Sequence, residues 1–393
     1  MKIIYMIHNV GLGKGGHYYS LLETARQVAR HESVKIISIG NAPSPVLSLY
    51  EGTYNHIVQR FLGLTIIEIT NYIKREKPSI IHAFDIESFL FARLASFFTK
   101  TPVVLTRCGG ANPIRYYPYN DEIILYSKEN QYFLEKKSKY RKANLSLIPN
   151  RVSIKYQDEN RIQELRALLS EDSLIMLRIA RISHAYEKSI LQSILLVNKL
   201  NEASCKVQLV IVGMIQDDSV YENIIKYKSE NIIFVTNDRY TINSSQLIDI
   251  ADIVVGTGRG FMEAALLNKI MLASNSNLDI PILVTKQRAL SVFSKNFSQR
   301  YIANINTDDA FSELTKLIKY ELVQEPNKHS LLDFANNNFS ADKIYEKHMM
   351  VYKRAKHAKL KLLDTLKNTI IVLKSSNNYF RGINKLLKDS LYK

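Results

Sequence analysis

The sequence predicts an α/β protein made of two doubly wound halves, each with a parallel sheet, followed by a basic helical C-terminal tail. Short apolar runs alternate with amphipathic stretches along most of the 393 residues, which is the rhythm of repeated βαβ units. The rhythm stops in a polar stretch near residues 150–172 and then restarts, and the length exceeds one ordinary hydrophobic core. We therefore predict domains at 1–155 and 156–340, with a crossover helix and tail at 341–393.

The first half contains five apolar runs that predict strands. They are "KIIYMI", "VKIISI", "SIIHAF", "PVVLT" and "EIILYS". Between them, apolar residues at helical spacing predict helices in "HYYSLLETARQVA", "LTIIEITNYIKRE" and "ESFLFARLASFF". Strands that alternate with helices pair in parallel, so this half is expected to form one sheet with helices packed on it.

The second half repeats the pattern. Its predicted strands are "LIMLRIA", "KVQLVIVG", "NIIFV", "ADIVVG" and "KIMLAS", and a long helix is predicted from Glu187 to Glu202. Ligands of doubly wound sheets bind beyond the carboxyl ends of the strands. We therefore expect the active site in a cleft between the two halves.

The C-terminal tail carries more than half of the excess positive charge. Residues 353–393 contain eleven Lys or Arg and two Asp, which gives 11 − 2 = +9 of the total +16. Leucine and isoleucine recur at helical spacing between the lysines, a pattern that suits an anionic membrane surface. A helix that docks on its own protein is an equally good alternative. Nucleic acid is not an expected partner, because the patch alternates with aliphatic rather than aromatic residues.

The composition favours a reducing, cytoplasmic location. Only Cys108 and Cys205 occur, far apart and without metal-binding spacing. The opening run "MKIIYMI" is too short for a signal peptide, and no run of 18 apolar residues is visible. We expect a cytoplasmic protein, with the tail allowing peripheral association with a membrane.

A glycine cluster follows the predicted strand "ADIVVG". Gly256, Gly258 and Gly260 lie between this strand and a predicted helix, and Glu263 follows in the first turns of the helix. Backbone N–H groups at a helix N-terminus bind anions, and glycine lets a phosphate approach closely. A carboxylate there would repel phosphate, so Glu263 is better suited to sugar hydroxyls. The alternative is a simple glycine turn in which Glu263 complements the helix dipole.

Two cations follow the strand "LIMLRIA". Arg181 and Lys188 lie in "RISHAYEKSIL", at the carboxyl end of that strand and the start of the next helix. Together they could clamp a diphosphate and stabilise it as a leaving group. The alternative is a pair of solvated basic side chains.

The first glycine loop does not fit a dinucleotide or phosphate-loop fingerprint. "GLGKGG" at 11–16 matches the glycine spacing of the former, but no acidic residue follows the second strand. His17-Tyr18 stands where a phosphate loop needs Lys-Ser/Thr. The remaining interpretation is a glycine loop that lets a substrate approach the backbone.

His82 ends a predicted strand in "SIIHAFD" and is the candidate catalytic histidine. A single histidine in a strand is more often packed than catalytic. No HExxH motif, spaced Cys/His set or DxD is present, so we expect no tightly bound metal and no cofactor.

Most of the chain, from Met1 to about Tyr352, resembles the GT-B glycosyltransferases, in particular the retaining family 4 group. The similar segments are the glycine pair at 15–16, "IIHAFD", "LTRCGG", "ILYSKENQYFL", "LIPNRV", "RISHAYEKS", "LVIVG", "ADIVVGTGRGFMEAALLNKIMLAS" and "NFSADKIYEKHMMVYKRA". The resemblance implies two Rossmann-like domains that face each other across a cleft. It also implies a final helix that crosses back to the first domain.

The same resemblance assigns roles to residues. Arg181 and Lys188 would hold the nucleotide diphosphate, and Glu263 would bind the ribose. Gly15 and Gly16 would border the donor phosphate and the acceptor. Backbone N–H groups of the turn would complete the donor site, from Gly258, Arg259, Gly260 and Phe261.

The sequence departs from the family pattern at three positions. Val255 stands where the family has the first Glu of its paired-Glu motif, and Arg259 with its backbone neighbours is the candidate substitute. The family's catalytic histidine aligns with residues 107–108, which leaves His82 as the nearest candidate. Asn268 replaces the usual glycine after the helix, which is tolerable because Asn accepts a positive φ.

These observations predict a metal-independent glycosyltransferase that moves a sugar from a nucleotide-sugar donor to a hydroxyl, and the resemblance alone implies that configuration is retained. The expected acceptor is a glycan or lipid-linked molecule in bacterial-type surface glycan synthesis, such as capsule, lipopolysaccharide or teichoic acid. Two alternatives stay open: a nucleotide-sugar epimerase of the same fold, and a catalytically silent partner subunit.

Overall fold

A computed structural model describes residues 1–9, 13–113, 116–324, 328–341 and 344–374. The chain divides into two compact units, which are described separately. Unit 1 comprises Met1–Arg151 and Ala341–Lys393, and unit 2 comprises Val152–Ser340. Residues 375–393 of the predicted tail lie outside the described residues.

Unit 1 is built on a seven-stranded parallel sheet in the order β3-β2-β1-β4-β5-β6-β7. Its strands are β1 (Lys2–Asn9), β2 (Ser33–Gly40), β3 (Thr53–Val58), β4 (Ile80–Ala83), β5 (Val103–Arg107), β6 (Glu122–Leu125) and β7 (Asn144–Leu147). Its helices are α1 (Gly16–Ala29), α2 (Leu62–Glu76), α3 (Ile86–Thr99), α4 (Lys128–Glu135), α14 (Ile344–Arg354) and a helix at 362–374.

Both faces of this sheet are buried, as the continuous apolar runs predict. Successive side chains of a strand point to opposite faces. In β1, Tyr5 and Ile7 enter one apolar core, whereas Ile4 and Met6 enter another. Parallel strands covered by helices on both sides therefore account for the absence of polar alternation in "KIIYMI".

Unit 2 is built on a six-stranded sheet in the order β10-β9-β8-β11-β12-β13, parallel except for the edge strand β13. Its strands are β8 (Leu174–Ile179), β9 (Val207–Val212), β10 (Ile232–Val235), β11 (Ile253–Gly256), β12 (Ile270–Ala273) and β13 (Ile282–Leu283). Its helices are α5 (Glu159–Arg166), α6 (Glu187–Glu202), α7 (Asp218–Ile225), α8 (Asp238–Thr241), α9 (Arg259–Leu266), α10 (Lys286–Ser294), α11 (Thr307–Lys316), α12 (Leu322–Gln324) and α13 (Leu332–Phe339).

Both sheets confirm the predicted doubly wound architecture. The strand order reverses direction beside β1 in unit 1 and beside β8 in unit 2. Ligands of such sheets bind at this switch point, outside the carboxyl ends of the two strands that flank it. In unit 2 those strands are β8 and β11. The segment with the predicted cations follows β8, and the glycine cluster lies at the end of β11 and in the turn after it.

The last described helices belong to unit 1, together with the N-terminal residues of the chain. His348 and Tyr352 of α14 are buried in its core. None of the helices in the described ranges has the length and apolar character needed to cross a membrane.

Candidate functional site

The turn after β11 forms the N-terminus of α9 with an uncapped first turn. Gly258 is the N-cap residue, with φ +52° and ψ −122°, and no side chain caps the helix there. An L side chain rarely adopts this φ, so Gly258 is required by the backbone itself. The first N–H groups of a helix have no intrahelical partner and carry the positive end of its dipole. This end of α9 is suited to bind an anion.

The other two glycines of the cluster differ in what a side chain would meet at their positions. A Cβ at Gly256 would lie 2.6 Å from the Cα of Phe261, so this glycine allows close packing between β11 and α9. A Cβ at Gly260 would meet no atom within 4 Å. Packing among the described residues therefore does not require glycine at 260. The open space beside it is where a bound group could approach the helix backbone.

Arg178, which the sequence analysis did not single out, lies directly beneath this turn. It is a residue of β8 and only 1% exposed. Its Nη1 donates to the carbonyl of Val255 at 3.1 Å, and its Nη2 donates to the hydroxyls of Ser189 at 2.7 Å and Thr257 at 3.3 Å. The guanidinium thus joins three elements: β8, the start of α6 and the 255–257 turn.

The charge of Arg178 has no acidic partner within the described part of the chain. Its hydrogen bonds all go to neutral oxygens, and its Nε is buried without a partner there. Burial lowers the pKa of Arg178 to about 10, so the residue stays protonated at neutral pH. A buried cation without a counter-ion is costly, and an anion bound at the turn above it would offset that cost. A charged residue inside the apolar run "LIMLRIA" was the sequence signal for it.

The predicted Glu263 and Arg259 lie together on α9. Arg259 Nε and Glu263 Oε1 are 2.8 Å apart, one helical turn from each other, and both side chains are largely buried. The ion pair fixes the Glu263 carboxylate beside the first turn of α9. Phe261 is completely buried, with its ring stacked on Phe297 at 3.8 Å between centroids. Only the backbone of Phe261 can take part in binding.

Asn296 is a second residue that the sequence analysis missed. It has a positive φ of 56° and lies beside the position that a Cβ at Gly258 would occupy. Its Oδ1 is buried without a hydrogen-bond partner among the described residues. An unsatisfied buried acceptor is costly, and a ligand hydroxyl would satisfy it.

The predicted cations Arg181 and Lys188 are both exposed at the carboxyl end of β8. The Arg181 guanidinium lies 5.5 Å from the ring centroid of Tyr186. Lys188 Nζ donates to the carbonyl of Ser276, beyond β12, at 2.5 Å. Neither directly contacts the glycine turn. Arg178 connects the segment that carries these two cations with the glycine turn. It donates to Ser189, which follows Lys188 in the chain, and also to Thr257 of the turn.

The predicted residues of the first glycine loop lie in unit 1. Gly15 is the N-cap of α1, again without a side-chain cap, and Gly16 is the first residue of the helix. A Cβ at Gly16 would meet no atom within 4 Å. This helix N-terminus lies beyond the carboxyl end of β1, beside the switch point of the first sheet.

His82 is a core residue rather than an accessible one. It is fully buried, with Nδ1 2.8 Å from the hydroxyl of Tyr352 and Nε2 2.6 Å from the hydroxyl of Thr106. Burial lowers its pKa well below the usual value, and the nearby His348 adds to the effect. These contacts tie β4 to β5 and α14. The predicted catalytic role of His82 stays a prediction that this geometry does not support.

The structure shows the surroundings of two residues at which the sequence departs from the pattern of the family 4 group. Asn268, after α9, has φ +57°, which confirms the reason given for its tolerance. Val255 is only 1% exposed within β11, so its side chain cannot take the place of a carboxylate in the site. No group of three or more His, Cys, Asp or Glu residues within the described ranges could hold a metal ion.

No protein-family model and no curated protein matches the sequence. Among solved structures, the chain is similar to HepE of Anabaena in complex with UDP and glucose, with 15% identity and a TM-score of 0.64, covering 90% of this chain and 100% of that one. A glycosyltransferase of Rickettsia africae has 17% identity and a TM-score of 0.64, with 90% and 98% covered. UDP-GlcNAc 2-epimerase of Neisseria meningitidis, bound to UDP-GlcNAc, has 14% identity and a TM-score of 0.52, with 90% and 99% covered. At these identities the likeness shows the fold, two Rossmann-like domains of the GT-B type.

Proposed function

We propose that this chain is a glycosyltransferase that moves a sugar from a nucleoside diphosphate donor to a hydroxyl acceptor. The observation that carries the proposal is the buried Arg178 guanidinium beneath the uncapped N-terminus of α9, at the switch point of the second sheet. A fixed cation and a set of helix N–H groups at the same place favour a ligand with concentrated negative charge. A diphosphate is such a ligand.

In this proposal the diphosphate lies against the backbone at Gly260, where there is open space for it. N–H groups of the first turn of α9 donate to the phosphate oxygens, and Arg178 acts from below through its charge. Arg181 and Lys188, exposed at the end of β8, turn toward the ligand when it binds. Lys188 would then exchange its bond to the carbonyl of Ser276 for a charge-assisted bond to phosphate.

The same groups assist the chemical step. When the bond between the sugar and the diphosphate breaks, negative charge grows on the departing phosphate oxygen. Donors and cations already fixed in place stabilise that charge without having to reorganise. Glu263, held by Arg259, accepts hydrogen bonds from the ribose hydroxyls and so orients the donor. Metal-independent transfer with retention of configuration, as in the family 4 group, is part of the proposal.

The test is the release of nucleoside diphosphate from a panel of sugar nucleotides, with and without acceptor extracts. Uridine nucleotides come first, because HepE and the Neisseria epimerase were crystallised with UDP or UDP-GlcNAc. The wild type should release UDP in an acceptor-dependent reaction, and Glu263→Ala should lower the rate by at least tenfold. Failure of every sugar nucleotide to bind to the wild type would overturn the proposal.

An epimerase is the second candidate, supported by the similarity to the Neisseria UDP-GlcNAc 2-epimerase. Such an enzyme converts the donor sugar without any acceptor. Incubation with UDP-GlcNAc alone, followed by chromatography of the sugars after acid hydrolysis, separates the two functions. A new sugar formed without acceptor favours the epimerase.

A catalytically silent subunit is the third candidate, supported by Val255 and by the burial of His82. It would keep the diphosphate site without turnover. Binding of UDP, measured by calorimetry, combined with no release from any donor and acceptor would favour this function over transfer.

A further inference from the structure

The helix at 362–374 buries its polar side and exposes its apolar side. A surface helix normally buries its apolar face and exposes its polar face. Here the buried side carries Asp364, Thr365 and Asn368, with Val372 as the apolar exception. The opposite side carries five large aliphatic residues that are between 51% and 76% exposed: Leu362, Leu363, Leu366, Ile370 and Leu373.

A polar anchor holds the helix in this orientation. Asp364 accepts from Arg93 Nη1 at 2.8 Å, Lys139 Nζ at 2.5 Å, the Tyr116 hydroxyl at 2.7 Å and the backbone N–H of Tyr119 at 3.1 Å. Burial would raise the pKa of this carboxyl, but these bonds outweigh burial and hold its pKa below the usual value. Rotating the helix to bury its leucines would break the whole anchor. The exposed apolar face is therefore enforced by the fold of unit 1.

Positive charge flanks the exposed face. Lys367 and Lys374 lie on the helix, and Lys359 and Lys361 directly precede it. Lys359, Lys361, Lys142 and Arg93 also line one cavity of about 280 Å³, in which Asp121 is the single acidic residue. Lys361 lies over the ring of Tyr119, 3.4 Å from its centroid. The segment 355–374 contains five lysines and one aspartate, and the aspartate is already neutralised inside the protein.

We propose that this face, defined by the five exposed aliphatic residues of the helix and the lysines around them, docks on an anionic lipid bilayer. An interfacial helix inserts an apolar face to the depth of the headgroups and places lysines beside anionic lipids. A second copy of the chain is a poorer occupant, because two faces of the same positive charge would repel each other. The proposal does not depend on the proposed enzymatic function, because binding to vesicles can be measured without any donor.

The absence of tryptophan from the sequence allows a direct test on the full chain. In a Leu366→Trp variant the only tryptophan lies on the proposed face. The control is Leu290→Trp, on α10 of unit 2, where the leucine is similarly exposed at 58%. Vesicles of phosphatidylcholine with about one-third phosphatidylglycerol should shift the emission of Leu366→Trp to shorter wavelength and leave the control unchanged. High salt should weaken the effect.

Substitution on the face completes the test. Leu363→Glu with Leu366→Glu should lower vesicle binding by at least tenfold, whereas Leu290→Glu should leave it within about twofold. Because all three leucines are exposed, each variant should keep the thermal midpoint of the wild type. Equal binding by the two variants would overturn the proposal. It would also be overturned if the emission of Leu366→Trp were already at short wavelength without vesicles, or shifted only as the protein dimerised, since the face would then be covered by protein.

Discussion

Replacement of Arg178 by Met should destabilise the protein only modestly and yet abolish much of its affinity for UDP. Methionine keeps most of the length of the arginine stem and removes the charge. Two effects on stability oppose each other. The fall in the pKa of Arg178 from its usual value to about 10 means that the fold disfavours the charged form by about 3 kcal/mol. That cost disappears in the variant.

The lost hydrogen bonds act in the other direction. Arg178 donates to Val255, Ser189 and Thr257, and each bond from the charged guanidinium contributes at least about 1.5 kcal/mol, or about 4.5 kcal/mol together. The free energy of unfolding, measured with urea, should therefore fall by roughly 1–2 kcal/mol, which is the lost bonding less the recovered cost of the buried charge. Affinity for UDP should fall roughly ten- to a hundredfold. The reason is that the interaction of a charged group with a bound anion contributes about 1.5–3 kcal/mol to the binding free energy.

Two comparisons separate a binding role from a structural one. Uridine, which lacks the diphosphate, should bind the wild type and the Arg178→Met variant with the same affinity, as measured by calorimetry. Arg178→Lys, which restores the charge with fewer donors, should recover part of the affinity for UDP. If Arg178→Met unfolds several kcal/mol more easily while UDP binding is unchanged, the residue only supports the fold and the reasoning is refuted.

Three further predictions concern the glycine turn, the proposed contact of Glu263 with the ribose, and the loss of stability at low pH. Gly260→Ala should fold normally and weaken UDP binding, whereas Gly256→Ala should be destabilised, since its Cβ would lie 2.6 Å from the neighbouring Cα; thermal midpoints and calorimetry check both. Glu263→Gln should reduce the preference for UDP over 2′-deoxy-UDP, and an unchanged preference would contradict the ribose contact. Burial lowers the pKa of His348 to about 4, so the folded state binds fewer protons than the unfolded state between pH 6.5 and 4. As pH falls across that range, the contribution of His348 to the free energy of unfolding should fall by about 3 kcal/mol, and His348→Leu should remove that part of the decline.

The fold could be predicted from the sequence because its signals are local and repeated. Continuous apolar runs bounded by amphipathic helices specify buried parallel strands, and the observed order reverses beside β1 and β8, as in other doubly wound sheets. The role of Asn268 could be predicted because it is also local: the positive φ at this position favours Asn or Gly. The antiparallel edge strand β13 was not predicted, because two residues give no periodicity.

The site was less predictable, because its interactions join residues distant in sequence. Arg178 is 77 residues from Val255, and nothing in "LIMLRIA" reveals that its guanidinium turns beneath the glycine loop. The packed alternative for His82 was kept open, but its partner could not be named for a similar reason: Tyr352 is 270 residues away. The sequence of the tail allowed two interpretations, binding to a membrane surface and docking on the protein itself. The described part does dock, but through its polar side, which a pattern of leucines and lysines cannot disclose.

The position of Arg178 also bears on the departure at Val255. If the reaction is sugar transfer, the leaving diphosphate needs positive charge more than it needs a nearby carboxylate, which would repel it. In this chain the carbonyl of Val255 fixes one arm of the Arg178 guanidinium, so the position contributes through its backbone and not through its side chain. The absence of the family's first Glu is therefore compatible with activity, provided that the sugar ring is held by other groups. Asn296 is one candidate for this role, because its Nδ2 lies 3.9 Å from the position of a Cβ at Gly258 and its Oδ1 has no hydrogen-bond partner among the described residues.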